Sequence, residues 1–134
     1  MVSPARLVRS AELCDAPYAY GAVVESGVQL VFLAGACPLE RDGTTAAVGD
    51  YAGQAAKCVE NLTEALRAAG ASLEDVVSTR VLVASTQRSD LGSAWDVVHE
   101  AFGEHDVPST LLGVTVLGYE DQLVEIEAVA ALPD

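Results

Sequence analysis

Two short runs near the C-terminal end carry the residues best suited to chemistry: Pro108-Ser109-Thr110-Leu111-Leu112-Gly113-Val114 and Leu123-Val124-Glu125-Ile126-Glu127-Ala128-Val129-Ala130. Side chains alternate along an extended strand, so Val124, Ile126, Ala128 and Ala130 share one face, and Glu125 and Glu127 share the other. The acid pair has two readings. In one, a half-buried sheet keeps both carboxylates in water. In the other, one Glu faces a cleft, where a desolvated carboxylate orients a water or accepts a proton.

The remaining titratable groups offer less. His99 and His105 lie on or just after a helix, with no Ser, Cys or second His at motif spacing, and read as surface residues. Cys14, Cys37 and Cys58 are odd in number and lack metal-ligand spacing, so neither a zinc site nor a disulfide framework is expected; reduced, mostly buried thiols are. Arg80, on a strand and on the face opposite Thr79, is the one cation placed to reach an interface and hold a carboxylate.

These groups must be positioned by strands and two helices. Residues 19–25 and 29–37 flank Ser26-Gly27 and read as a β-hairpin, with a short strand near 6–8 before them. Ala55, Val59, Leu62, Leu66 and Ala69 recur at three- and four-residue steps, the stripe of an amphipathic helix opened by Gly49 or Asp50 and closed by Gly70. A Val- and Thr-rich strand occupies 76–84. A second helix spans 89–102, with Leu91, Trp95, Val98 and Phe102 on its apolar face and Asp90 and Asp96 towards its N-terminal half. Strands at 109–116 and 122–131 close the chain. The helices would cover one face of a mixed sheet. The other face, rich in Val, Leu and Ala, needs a partner, and a homo-oligomer closing around a symmetry axis supplies one.

Composition narrows the function. At 134 residues and 51% hydrophobic content the chain reads as one globular domain over 1–134. No apolar run is long enough for a membrane span, and Met1-Val2-Ser3-Pro4-Ala5-Arg6 lacks the apolar region of a signal peptide, so a cytoplasmic location without membrane contact is expected. Twenty acidic residues against 7 basic ones give a net charge of −13, which repels a phosphate backbone, so no nucleic-acid partner is expected.

The layout resembles the RidA/YjgF family over nearly the whole chain. The segments that carry it are Ala16-Pro17-Tyr18-Ala19-Tyr20-Gly21, Phe32-Leu33-Ala34-Gly35, Gln54 with Asn61-Leu62, Ala68-Ala69-Gly70-Ala71-Ser72-Leu73, Asp75-Val76-Val77 and Val124 to Ala130. Their specificity lies in order and spacing together. The resemblance implies an α+β, chorismate-mutase-like fold whose three subunits form a barrel, with a small-molecule site at each subunit interface and no metal or cofactor. In the deaminase members an Arg just after a Pro-x step binds the substrate carboxylate, and a water attacks an imine carbon to release ammonia and a keto acid. By the resemblance, Tyr18 matches the pocket Tyr, Gly35 the position whose backbone approaches the ligand, and Glu125 the acid that orients the water. The plainer alternatives are an interface aromatic, a strand bend and a solvated acid.

The chain departs from that pattern where charge matters most. The family's Pro-x-Arg-Ser is Pro108-Ser109-Thr110-Leu111 here, and no Lys or Arg occurs after Arg88. A charge-assisted bidentate Arg–carboxylate pair is roughly twice as strong as a neutral hydrogen bond, and breaking a buried one costs about 3–5 kcal/mol. Ala34 replaces a family Ser, Trp95 a helix-start Asn, and Leu112 stands where many members carry a small polar side chain or Cys. Together these changes make the site more apolar. One expectation is a divergent imine or enamine hydrolase of a specialised biosynthetic pathway, acting on a less charged or bulkier substrate than a 2-iminoacid. Glu125 and Tyr18 are the catalytic candidates: Glu125 would place water, Tyr18 and Gly35 would shape the site and hydrogen-bond the substrate, Ala34, Trp95 and Leu112 would line it, and Thr110 would add a weak polar contact. The alternative is a non-catalytic, ligand-binding or regulatory trimer. The endoribonuclease activity sometimes attached to the family fits poorly with the charge balance.

Overall fold

The computed structural model describes residues 3–133. Its elements run β1 (Ala5–Val8), β2 (Gly21–Val24), β3 (Leu30–Phe32), α1 (Tyr51–Ala68), a 3-10 turn (Leu73–Asp75), β4 (Val76–Val83), α2 (Arg88–Phe102), β5 (Ser109–Gly113) and β6 (Val124–Ala131). The main sheet is mixed, in the order β3-β6-β4-β5, with β4 and β5 parallel and the other neighbours antiparallel. α1 packs on β6, and α2 on β4 and β5, so both helices lie over this sheet.

The helix signals act as expected. Asp50 caps α1, its Oδ1 accepting the Gly53 N–H at 2.9 Å, and Gly70 takes a left-handed φ of 86° just past the helix end. The alternation in β6 is realised: Val124, Ile126, Ala128 and Ala130 are buried, and Glu125 and Glu127 half-buried on the opposite face. The buried set joins Ala55, Cys58, Leu62 and Leu66 of α1, Val76, Val81 and Val83 of β4, and Ala94, Val98 and Phe102 of α2 in one core. The opposite face carries Leu30, 45% exposed, and Phe32, 76% exposed, an apolar area left uncovered among the described residues.

The expected hairpin around Ser26-Gly27 does not form as a paired unit. β2 pairs with β1, whereas β3 pairs with β6. Turn chemistry reverses the chain at Gly27, φ 80°, but the partner of β3 is chosen by the longer apolar strand β6. The expected strand to residue 37 is also interrupted. Phe32 pairs with Val129 and Ala36 bridges Ile126, so four steps on one chain segment face three on the other. The extra residue makes a bulge that runs through Ala34 and Gly35.

Three amides splint the loops around this region. Buried Gln54 accepts the Leu123 N–H at 2.7 Å and donates to the Asp121 carbonyl at 2.9 Å. Asn61 donates to the Cys37 and Leu39 carbonyls at 2.8 and 3.0 Å. Gln122, 4% exposed, accepts the Tyr119 N–H and donates to the Val124 carbonyl, both at 3.0 Å. Buried polar atoms are costly unless bonded, so each amide fixes the backbone it serves.

Candidate functional site

The structure divides the residues singled out from sequence into two groups. The first surrounds a cavity of about 430 Å³ lined by Pro17, Tyr18, Trp95, Ser109, Thr110 and Leu111. Tyr18 and Trp95 meet at 90° with ring centres 6.3 Å apart, forming two walls. The indole is also stacked on His99, ring centres 5.7 Å apart, so His99 supports the wall instead of facing solvent freely. None of the six lining side chains is charged.

Sequence reasoning missed what holds the Tyr18 loop. Arg9 donates to the Ala16 and Tyr18 carbonyls at 3.0 and 3.1 Å and to Asp106 Oδ2 at 2.7 Å. The Ala19 N–H closes the ring on the Asp106 carbonyl at 2.7 Å. Arg9 and Asp106 lie 97 residues apart, and no local pattern links them. His105 is likewise not a plain surface residue, since its ring nitrogen lies 2.7 Å from the Val76 carbonyl and the residue is half-buried.

The second group is built on β6 and the bulge. Glu125 Oε1 accepts the Gln122 amide at 3.1 Å and the Cys37 thiol at 3.3 Å. Its other oxygen lies over Gly35, in space that a β-carbon there would need. The Cys37 thiol is pushed up from 9.0 to about 11, first by burial and then by the hydrogen bond and charge of Glu125. It therefore stays a protonated donor at neutral pH. The cysteines are free, but Cys14 is exposed and Cys37 only half-buried; Cys58 alone is fully buried. Cys58's thiol is raised in the same direction, chiefly by burial.

Glu127 is in a different state, in an ion pair with Arg80 at 3.2 Å. Arg80 sits in register between Thr110 on β5 and Glu127 on β6. It is thus the cation nearest Thr110 in the sheet, yet its guanidinium is turned towards Glu127. Leu112 and Glu125 flank Leu82 in the next row of the same face. Ala34 is exposed on the bulge beside Gly35. Within one chain the two groups stay apart: β6 and β5 are two strands from each other, roughly 10 Å, and the cavity at Tyr18 includes neither Gly35 nor Glu125. Among the described residues, no three His, Cys, Asp or Glu side chains stand together as a metal site, and no helix is long and apolar enough to cross a membrane.

Comparison with known proteins gives a consistent picture. The family model described as endoribonuclease L-PSP matches residues 11–132. RutC family proteins of Pyrococcus abyssi and Pyrococcus horikoshii are each 32% identical over 111 residues, 83% of this chain and 84% and 85% of theirs. The crystal structure of YyfB from Yersinia pestis, a protein of unknown function in the conserved Rid family, superposes with a TM-score of 0.90 at 26% identity, covering 96% of this chain and 99% of its own. E. coli TdcF with bound serine superposes with a TM-score of 0.67 at 27% identity, covering 96% and 99%.

Proposed function

Because the chain belongs to the RidA/YjgF family, matched by the endoribonuclease L-PSP model, we propose that it is a divergent imine or enamine hydrolase whose substrate lacks the carboxylate of a 2-iminoacid. The observation that carries this reading is the uncharged cavity beside Tyr18 and Trp95, with Thr110 on its wall. A carboxylate placed there would lose its hydration and gain at best hydroxyl bonds from Ser109, Thr110 or Tyr18, a poor exchange for a charge. An apolar or aromatic imine would exchange water for two rings, a Pro and a Leu. TdcF holds serine, which carries a carboxylate; the proposed ligand here differs on that point.

The second element of the proposal is assembly. The Tyr18 cavity and the Glu125 carboxylate are half-sites on one chain, and a complete site forms when a second copy supplies the missing half. The uncovered face with Leu30 and Phe32 supports a closed homo-oligomer, and three-fold closure rests on the family resemblance. At the joined site a water adds through oxygen to the imine carbon while Glu125 takes one of its protons. Glu125 returns that proton to the nitrogen, giving a carbinolamine; the hydroxyl proton is then passed to the same nitrogen as the C–N bond breaks and the C=O bond forms, and a carbonyl compound and an amine or ammonia leave. No cofactor enters this scheme.

A binding module without turnover is the alternative, favoured by the ion pair that keeps Arg80 from Thr110. Trp95 is the only tryptophan and lines the cavity, so its fluorescence reports occupancy. Benzaldehyde and benzoate, matched in ring and opposite in charge, test the pocket directly. The proposal expects quenching by benzaldehyde alone; preferential binding of benzoate would overturn it. Glu125→Gln then separates the two readings, since a binding module keeps its affinity and has no turnover to lose.

A further inference from the structure

Glu125 presents two inequivalent oxygens. Oε1 receives the Gln122 amide at 3.1 Å and the Cys37 thiol at 3.3 Å. Among the described residues, no donor bonds to Oε2, which lies over the bare backbone of Gly35. Gln122 cannot readily turn away, because its Nε2 also serves the Val124 carbonyl at 3.0 Å while its own oxygen accepts the Tyr119 N–H at 3.0 Å. Both N–H bonds and the carbonyl of this buried amide are committed. Cys37 is anchored from behind through its carbonyl, which accepts from Asn61 at 2.8 Å.

We propose that Gln122 and Cys37 are positioning residues that occupy Oε1 of Glu125 and leave Oε2 as the oxygen that meets the ligand. With two donors on the oxygen labelled Oε1, any partial rotation of the carboxylate about its last torsion breaks both bonds, and a half-turn only interchanges two chemically equivalent oxygens, so one oxygen is always held by the donors and the other left over Gly35. The free lone pairs therefore point in one direction, across Gly35 and out of the bulge. In the hydrolase reading, on which the catalytic half of this inference rests, Oε2 accepts the proton released as water oxygen bonds to the imine carbon. Oε1 remains bound to its two donors throughout, so little reorganisation accompanies proton transfer.

Two measurements test the two halves separately. The first needs no turnover: the Cys37 β-carbon, labelled with 13C in a Cys14→Ser, Cys58→Ala background, is titrated by NMR with Glu125 intact and with Glu125→Gln. The inferred contact requires the Cys37 titration to move to lower pH when the carboxylate is replaced; an unchanged titration overturns it, whatever the protein catalyses. The second measures release of benzaldehyde from N-benzylidenemethylamine by wild type, Gln122→Leu, Cys37→Ala and Cys37→Ser. Gln122→Leu is expected to lower kcat roughly 10- to 100-fold with KM nearly unchanged. Cys37→Ala is expected to lower kcat less, and Cys37→Ser, which keeps a donor, to restore it. Wild-type kcat in both Gln122→Leu and Cys37→Ala overturns the positioning role. An inert wild type whose Cys37 titration still responds to Glu125→Gln overturns the hydrolase reading alone and leaves the Oε2 assignment standing for a bound ligand.

Discussion

Gly35 and Glu125 share one volume: the carboxylate of Glu125 occupies the space that a β-carbon on residue 35 would fill. Residue 35 lies on a bulge, not at a left-handed turn, so the requirement for glycine is one of close approach. Gly35→Ala is expected to leave the fold intact while displacing Glu125, lowering any turnover that depends on it about 100-fold. Circular dichroism together with kcat checks this; full activity in the alanine variant would detach Glu125 from the reaction.

The Gln54 amide is the strongest stability expectation. Gln54→Leu removes the partners of the Leu123 N–H and the Asp121 carbonyl, and groups left unpaired in a buried setting cost on the order of 2–4 kcal/mol together. The urea midpoint should fall accordingly, with an unchanged denaturant slope.

Much of this arrangement is visible in sequence, and the reasons for the remainder are physical. The period of two in Val124 to Ala130 and the seven- and four-residue steps of Ala55, Leu62 and Leu66 report burial directly, so β6 and α1 are legible from local pattern. The fate of the two acids is not. Glu125 and Glu127 look equivalent along the strand, yet cross-strand Arg80 neutralises one while Gln122 and Cys37 bind the other. The bulge at Gly35 depends on pairing with the distant strand β6, and a turn at Ser26-Gly27 gives no information on which strand β3 joins.

Arg9 and Asp106 provide a test of the Tyr18 wall. Replacing Arg9 by Ala frees the Ala16 and Tyr18 carbonyls and breaks an ion pair that is partly exposed, 42% and 33%. Exposed pairs contribute little to stability, so the expected effect is on the cavity: weaker quenching of Trp95 by an aromatic ligand, with the unfolding midpoint nearly unchanged. A large loss of stability instead would assign the cluster a structural role.

Cys37 links stability to alkaline pH. Its thiol titrates at about 11 in the fold against an ordinary value of 9.0. The folded chain therefore holds a proton that the unfolded chain has released in that window. The stabilisation is full below about 9 and is lost as pH rises through about 11. Cys58, raised in the same sense, adds to the decline. Urea midpoints measured from neutral to strongly alkaline pH should fall less steeply in Cys37→Ala than in wild type.

The decisive assay is hydrolysis of freshly generated imines with and without an α-carboxylate by wild type, Thr110→Arg and Glu125→Gln. Wild type is expected to prefer the carboxylate-free imine, Glu125→Gln to lose turnover, and Thr110→Arg to shift preference towards carboxylated substrates. An inert wild type that gains activity on carboxylated imines only through Thr110→Arg would refute the hydrolase reading, leaving a family fold that keeps its site and binds without turnover.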